Sequence, residues 1–164
     1  MTGSVASGLD GVVVADTLLS EVDGERGRLV IAGHDVEALG GKATFEELCS
    51  ALWSAIPGTT SAAELRTSLG RERVWAFEQL ESLGRALLAT DGMDALRGGL
   101  AQLPSDGSAR DVAVRLTAAT AVFTAAWWRR REGLAPLRPD PAAGHAEDLV
   151  RFVFGGVASS SAAA

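Results

Sequence analysis

The spacing of apolar residues changes along the chain from a strand-like pattern to a helical one. Residues 12–15 and 28–31 are short β-branched runs, and Asp23-Gly24 and Gly27 supply turn-forming residues between them. From Thr44 onward, apolar residues recur at intervals of three and four, which is typical of amphipathic helices. The pattern therefore predicts a mainly α protein, with a short two-stranded β element near its N-terminus.

Three of the predicted helices begin with a capping box, in which a hydroxyl residue at the N-cap is followed three residues later by an acid. These pairs are Thr44 with Glu47, Ser61 with Glu64, and Ser108 with Asp111. Pro57, Pro104, Gly133 and Gly155 mark helix ends. The predicted helical segments are 44–56, 61–69, 71–89, 93–103, 108–132 and 145–154.

The same periodicity predicts which face of each helix is buried. The first face contains Phe45, Leu48, Cys49, Leu52, Trp53 and Ile56, so Cys49 is interpreted as a small buried hydrophobe rather than a reactive thiol. For segment 71–89 the face is Val74, Phe77, Leu80, Leu83, Leu87 and Leu88. For the last two segments it is Val112, Leu116, Ala119, Phe123 and Trp127, and then Leu149, Val150, Val153 and Phe154.

Composition narrows the class of protein. The chain has 164 residues and a formal net charge of −6, which argues against general affinity for nucleic acid or anionic membranes. A single cysteine excludes an intramolecular disulfide and a multi-cysteine zinc site. The first residues lack the charged and apolar regions of a signal peptide, and no apolar run reaches the roughly 18 residues of a membrane span. We therefore expect a cytoplasmic domain.

The two histidines are the first candidates for chemistry. His34 precedes Asp35, and His145 precedes Glu147 and Asp148, so each pair of types is found in both metal and acid–base sites. Both histidines, however, stand where a helix is predicted to begin, and acids there favour the positive end of the helix dipole. We interpret both as helix entries and assign no catalytic, cofactor-binding or metal-binding residue.

Two other motifs are weaker candidates. Gly40-Gly41-Lys42 resembles a phosphate-binding loop, but no strand is predicted before it and Ala43 follows the lysine. Residues 127–133, Trp-Trp-Arg-Arg-Arg-Glu-Gly, mix aromatics with cations as a single-strand nucleic-acid binder does. They close a predicted helix, where arginines complement the negative C-terminal end, so we expect no nucleic-acid partner.

Five motifs occur in order from about Gly8 to Gly155. The first lies within residues 8–36 and comprises Gly8-Leu9-x-Gly11-Val12, then Ser20-x-Val22-Asp23-Gly24-x-x-Gly27-x-Leu29, then Gly33-His34-Asp35-Val36. The others are TFEELCSALW, MDALRGGLAQL, the basic and proline-rich segment RRREGLAPLRPDPAAG, and the HAEDLVRFVFG helix. Together they resemble the N-terminal part of citrate synthases and 2-methylcitrate synthases. In one departure, Ala32 stands before Gly33 where the family usually has arginine.

The resemblance implies a multi-helix fold and the condensation of acetyl-CoA with oxaloacetate to citrate and CoA, an acyltransferase reaction of the tricarboxylic acid cycle. In the family, an aspartate deprotonates the thioester methyl group, a histidine stabilises the enol, and further histidines and arginines hold oxaloacetate. The segments that carry those residues are not found in this sequence, and no acetyl-CoA-binding residue is identified. The resemblance does not decide between acetyl-CoA and propionyl-CoA.

Three hypotheses follow for the chain as a whole. It is a truncated relative that is inactive alone, a split subunit completed by a separate catalytic chain, or a helical module that regulates a full-length relative.

We expect a flexible N-terminus over 1–7, the citrate-synthase-like region over 8–156 and a disordered tail over 157–164. We also expect self-association or pairing with a citrate-synthase-like chain, because some of Phe77, Leu87, Trp127, Val153 and Phe154 should stay exposed.

Overall fold

A computed structural model describes residues 17, 19–55, 58 and 61–155 of the chain. The contacts divide the chain into two units, residues 1–42 and 43–164. The predicted strand at 12–15, Ile56, Pro57 and both predicted terminal segments lie outside the described residues. The predicted fold class is confirmed: the structure is mainly helical, with a small antiparallel sheet in the first unit.

The described part of the first unit contains three strands. Strand β1 (Ser20–Asp23) pairs with β2 (Arg28–Ile31), and β2 pairs with β3 (His34–Asp35), all antiparallel. The β2 strand and the turn after Asp23 were predicted, and the Asp23 carboxylate accepts the Arg26 N–H at 3.0 Å. The β1 strand was missed because no position in Ser-Glu-Val-Asp is fully buried, so the sequence has no apolar face to reveal it.

A two-residue turn joins β2 to β3 and places both of its residues at positive φ. Ala32 has φ 47° and Gly33 has φ 80°, the combination that a hairpin turn matching the twist of the sheet requires. Glycine adopts this conformation freely, whereas the Cβ of Ala32 makes it unfavourable by roughly 1 kcal/mol. The Ala32 N–H donates to the Leu19 carbonyl at 2.9 Å, which holds the turn in place.

Six α-helices are present in the described residues. They are α1 (Val36–Leu39) in the first unit, and α2 (Phe45–Leu52), α3 (Ala62–Glu78), α4 (Gly92–Leu100), α5 (Ala109–Arg131) and α6 (His145–Phe154) in the second. Short 3₁₀ turns follow at Trp53–Ala55 and Ala86–Leu88. All three predicted capping boxes are confirmed, with both reciprocal hydrogen bonds formed in each. No helix in the described ranges is long and apolar enough to cross a membrane.

The helix predicted over 71–89 is wrong in its boundaries. The α3 helix runs without a break from Ala62 and ends at Glu78, and turns then carry the chain to the 3₁₀ segment. Gly84 lies in these turns and has a φ angle of 56°. An α-helix does not contain residues with positive φ. Leu80, Leu83 and Leu87 are nevertheless buried as predicted, whereas Leu88 is 63% exposed and its predicted burial is wrong.

The α5 helix is central in the second unit and packs against α3, α4 and α6. Small side chains allow this close approach: Ala118, Ala119, Ala121, Ala125 and Ala126 are all buried. The predicted face is therefore only partly right, since Ala119 and Phe123 are buried but Leu116 is 39% exposed. A helix covered on several sides has no single apolar stripe for periodicity to detect.

Two apolar clusters form the core of the second unit. The larger lies among α3, α4, α5 and α6 and comprises Ala76, Leu80, Leu83, Leu87, Ala95, Ala119, Val122, Phe123, Ala125, Ala126 and Phe152. The smaller lies among α2, α3 and α5 and comprises Cys49, Leu65, Leu69, Val114 and Ala118.

The predicted face of α6 is also only partly right. Leu149 and Val153 are partly buried and pack against the larger apolar cluster. Val150 is 42% exposed and Phe154 71% exposed, whereas Phe152, His145 and Asp148 are buried. The helix is rotated from the predicted orientation because two of its polar residues bond to groups inside the second unit, as described next.

Candidate functional site

Four polar side chains meet in the interior of the second unit, and we call them the Arg73 cluster: Glu46, Arg73, His145 and Asp148. They come from α2, α3 and α6, and all are nearly or fully buried. Buried charges are rarely found without partners, because removing a charge from water costs several kcal/mol. The cluster is therefore the first place to look for chemistry.

Arg73 lies at the centre of the cluster and every guanidinium nitrogen has a partner. Its Nε donates to Asp148 Oδ2 at 2.8 Å, and both side chains are fully buried. Its Nη2 donates to the carbonyl oxygens of Asp140 and Ala143 at 3.0 and 2.9 Å. Its Nη1 lies 3.3 Å from His145 Nδ1. One arginine thus ties α3 both to α6 and to the connector that precedes α6.

His145 is held on three sides. Its backbone N–H donates to Glu46 Oε1 at 2.7 Å, and its ring stacks on Phe45 with centroids 4.6 Å apart. Arginine can only donate hydrogen bonds, so Nδ1 accepts from Arg73 and the neutral ring carries its proton on Nε2. Burial, reinforced by the positive charge of Arg73, lowers the pKa of His145 from 6.5 to about 4. The imidazole is consequently neutral at physiological pH and a weak base.

Asp148 uses both carboxylate oxygens. Oδ2 accepts from Arg73, while Oδ1 accepts from Arg151 Nη2 at 2.7 Å and from Arg151 Nε at 2.9 Å. The backbone N–H of Asp140 also approaches Oδ1 at 3.3 Å. With these partners the carboxylate is fully engaged, and its geometry is that of a structural ion pair.

Of this cluster, sequence reasoning identified only His145 and Asp148 as candidates, and it missed Arg73 and Glu46. A signal was present: Arg73 interrupts an otherwise apolar stripe at Leu65, Leu69, Ala76 and Leu80. Glu46 lies three residues before buried Cys49, on the same side of α2. A charged residue on the buried side of a helix indicates a partner elsewhere in the chain, although not which one.

The other histidine, His34, lies in the first unit. His34 is exposed in β3, and Asp35 is the N-cap of α1, accepting the Glu37 N–H at 3.0 Å. A hydrogen bond from Arg28 and that from the Glu37 N–H lower the pKa of Asp35. The pair therefore lies at a helix start, where it was predicted.

The remaining candidates from the sequence are the Gly40-Gly41-Lys42 segment and Cys49, and neither forms a binding or reactive site. Gly40, Gly41 and Lys42 follow α1 rather than a strand. Cys49 is buried, and burial together with the nearby Glu46 carboxylate raises the pKa of its thiol to about 11, which confirms it as a buried hydrophobe. Within the described part of the chain, no three His, Cys, Asp or Glu side chains are grouped to hold a metal ion.

The aromatic and basic segment at the end of α5 is also occupied internally. Trp127 Nε1 donates to the Ala89 carbonyl at 2.9 Å, and the Arg131 guanidinium lies 5.0 Å from the Trp127 ring. Arg129 is buried and donates to the carbonyl oxygens of Ala135 and Phe152 at 2.7 and 3.4 Å. These contacts fasten the end of α5 to neighbouring segments.

A family profile and individual relatives of known function all match this chain to citrate or 2-methylcitrate synthases. The family profile described as "Citrate synthase, C-terminal domain" matches residues 8–164. The chain is 31% identical to a citrate synthase of Haloferax volcanii, over 94% of this chain and 45% of that protein. It is also 31% identical to a 2-methylcitrate synthase of Mycobacterium tuberculosis, over 93% of this chain and 41% of that protein.

Solved structures with a similar fold are also citrate synthases. The crystal structure of citrate synthase from Thermotoga maritima superposes with a TM-score of 0.76 and 27% identity, over 92% of this chain and 42% of that chain. The citrate synthase of Pyrobaculum aerophilum, at 22% identity and a TM-score of 0.65, shows the same fold. The chain thus spans less than half the length of the relatives it matches. On the strength of the profile match, it belongs to the citrate synthase family.

Proposed function

We propose that this chain is a helical component of a citrate-synthase-type condensing unit and has no turnover of its own. The reaction in question joins the methyl carbon of an acyl-CoA thioester to the keto carbon of oxaloacetate. It requires a base for the methyl proton, a donor for the developing enolate oxygen, and cations for the carboxylates of oxaloacetate. Within the described residues, groups of those types lie together in the Arg73 cluster.

The observation that carries the proposal is the engagement of that cluster in holding helices together. His145 has a pKa of about 4, so at neutral pH it is neither a good base nor a charged donor. The Arg73 guanidinium is surrounded by Asp148, His145 and two backbone carbonyls, which leaves none of its nitrogens for a substrate carboxylate. Removing one partner from a buried ion pair costs about 3–5 kcal/mol. A substrate that displaced Asp148 from Arg73 would therefore destabilise the helix packing that forms the cluster.

The arrangement supports a role as a scaffold that holds helices in place around catalytic residues lying outside the cluster. In the split-subunit form of the proposal a separate chain supplies those residues, whereas in the regulatory form this chain binds a full-length relative. The identity of the bound chain separates the two forms.

The test is release of CoA by the purified chain. With acetyl-CoA or propionyl-CoA and oxaloacetate, thiol release should equal the buffer blank, while a full-length citrate synthase from Thermotoga maritima serves as positive control. Release that co-purifies with the chain and is abolished by His34→Ala or His145→Asn would overturn the proposal. Those two variants locate any activity in this chain rather than in a contaminant.

A further inference from the structure

The C-terminal ends of α3 and α5 form a groove together with the connector between α5 and α6, and we call it the α3–α5 groove. Its volume is about 430 Å³, within the range of roughly 300–1,000 Å³ that is usual for small-molecule sites. Phe77, Leu80 and Pro136 form its apolar wall. Phe77, one of the side chains expected to stay exposed, is half-buried, and Leu80 is buried. The groove therefore offers a firm apolar surface beside solvent.

Two acidic and two basic side chains complete the lining of the α3–α5 groove. Glu78 and Glu81 lie on its α3 side, while Arg130 comes from α5 and Arg138 from the connector. Arg138 Nη2 lies 3.2 Å from Glu78 Oε1, so these two charges are paired. Within the described residues, no hydrogen bond or ion pair is formed by the side chain of Glu81 or of Arg130. One carboxylate and one guanidinium thus remain for a ligand.

The two acids of the α3–α5 groove oppose the dipole of the helix that carries them. Glu78 is the last residue of α3, whose last turn contains no basic residue, and Glu81 follows three positions later. Negative charge is unfavourable there, because the last carbonyl groups of a helix carry a partial negative charge. Arg138 offsets only one of the two acids. A residue choice that opposes local stability is typical of a functional site, and an ammonium group at Glu81 would relieve it.

The connector side of the α3–α5 groove is held in place by hydrogen bonds on both sides of Pro136. The carbonyl oxygen of Ala135 accepts from Arg129 Nε at 2.7 Å, and that of Arg138 accepts from Arg151 Nη2 at 2.7 Å. A ligand would therefore meet a groove that is already formed, and binding would not have to order the connector.

We infer that the α3–α5 groove binds a small zwitterion with an apolar substituent, the chemistry of a free α-amino acid such as leucine. The ammonium group of the ligand lies at Glu81, its carboxylate at Arg130, and its side chain on Phe77 and Pro136. A ligand of one sign fits less well, because an anion such as oxaloacetate or CoA meets two glutamates and a polyamine meets two arginines. The groove shares no residue with the Arg73 cluster, so this site goes beyond the proposed scaffold role.

Titration of the ¹⁵N-labelled 164-residue chain with L-leucine at neutral pH, followed by two-dimensional NMR, tests the site. Saturable shifts should appear at the backbone amides of the groove residues, with a dissociation constant on the order of 1 mM, because exposed charge contacts are individually weak.

Three matched probes each remove one part of the ligand. N-acetyl-L-leucine lacks the ammonium group, L-leucinamide lacks the carboxylate, and glycine lacks the apolar side chain. Each should bind at least about threefold more weakly than L-leucine. The inference is overturned if L-leucine gives no saturable shift up to about 20 mM, or if any of the three probes binds as tightly as L-leucine.

Two variants of the chain provide the second measurement. Glu81→Gln and Arg130→Gln each remove one charge from the groove and should weaken L-leucine binding at least about threefold. Glu25→Gln and Arg71→Gln are the matched controls, since they remove the same charges at exposed positions outside the groove and should leave the affinity unchanged. Undiminished binding in both groove variants would contradict the inference. The probe comparison uses the unaltered chain, so it decides the matter even if a variant fails to fold. CoA release is measured separately, so the two proposals fail separately.

Discussion

At the scale of single residues, the most informative side chain is Arg73. It is fully buried, yet each guanidinium nitrogen bonds to a group from another segment of the chain. A buried charge pair adds little net stability compared with an apolar equivalent, but it fixes one arrangement because any other leaves charges unpaired. The cluster around Arg73 therefore specifies how α6 sits on α3.

The depressed pKa of His145 predicts an acid-sensitive fold. The unfolded chain takes up the proton near pH 6.5, and the folded chain only near pH 4. Between these values protons bind preferentially to the unfolded state, so stability falls as the pH falls through this window. The expected loss is up to about 1.4 kcal/mol per pH unit, and His145 contributes no change above pH 6.5. Urea unfolding at pH 7, 6, 5 and 4.5 measures it.

The matched control for this prediction is His145→Asn. Asparagine keeps an acceptor for Arg73 but does not titrate, while the carboxylates nearby are the same in both proteins: Glu46, Asp140, Glu147 and Asp148. The variant should be less stable at pH 7 and should lose stability more gradually on acidification. Equal slopes for the two proteins would show that His145 is not the group responsible.

At the scale of secondary-structure elements, one glycine allows a close contact between α3 and the connector before α6. A Cβ built on Gly70 would overlap the carbonyl oxygen of Pro141 and approach the Pro141 carbonyl carbon to 3.0 Å. Backbone atoms cannot move aside as a flexible side chain can. Gly70 is therefore required for packing rather than for a special φ angle.

Gly70→Ala should consequently destabilise the protein by about 2 kcal/mol or more, despite the higher helix propensity of alanine. Gly98→Ala in α4 is the control, because its Cβ would meet the Ala86 Cβ at 3.4 Å, an ordinary contact. That variant should be neutral or more stable by up to about 1 kcal/mol. Thermal and urea unfolding measure the stability of both variants. Equal stability of the two variants would contradict the packing argument.

The elements also show what the sequence could predict. The capping boxes at Thr44, Ser61 and Ser108 were found because both partners lie within four residues, so local chemistry determines them. The buried faces of α5 and α6 were predicted only in part because they depend on partners far along the chain. Of the candidate site, the histidine and its helix were predictable, whereas the link from Asp148 to Arg73 spans 75 residues and has no local signature.

At the scale of the whole molecule, the second unit is held together by contacts between distant parts of the chain. Glu46 bonds to the His145 backbone across 99 residues, and Arg73 bonds to Asp148 across 75. By contrast, α3 and α5 carry their own capping boxes and pack directly on each other. Gly144 stands at the N-cap of α6 and has no side chain to accept first-turn amides, and Glu46 from α2 accepts the His145 N–H instead.

This long-range hydrogen bond from the His145 N–H to Glu46, at the start of α6, has a consequence for the order of folding. Contacts that close long loops form late, because loop entropy is lost before the contact stabilises anything. We therefore expect α6 to dock after α3 and α5 have associated. Pulse-labelled hydrogen exchange should show amides of α3 and α5 protected before those of α6, and Glu46→Gln should speed unfolding while leaving the folding rate nearly unchanged. Simultaneous protection of all three helices would instead mean that the 99-residue loop closes in the folding nucleus.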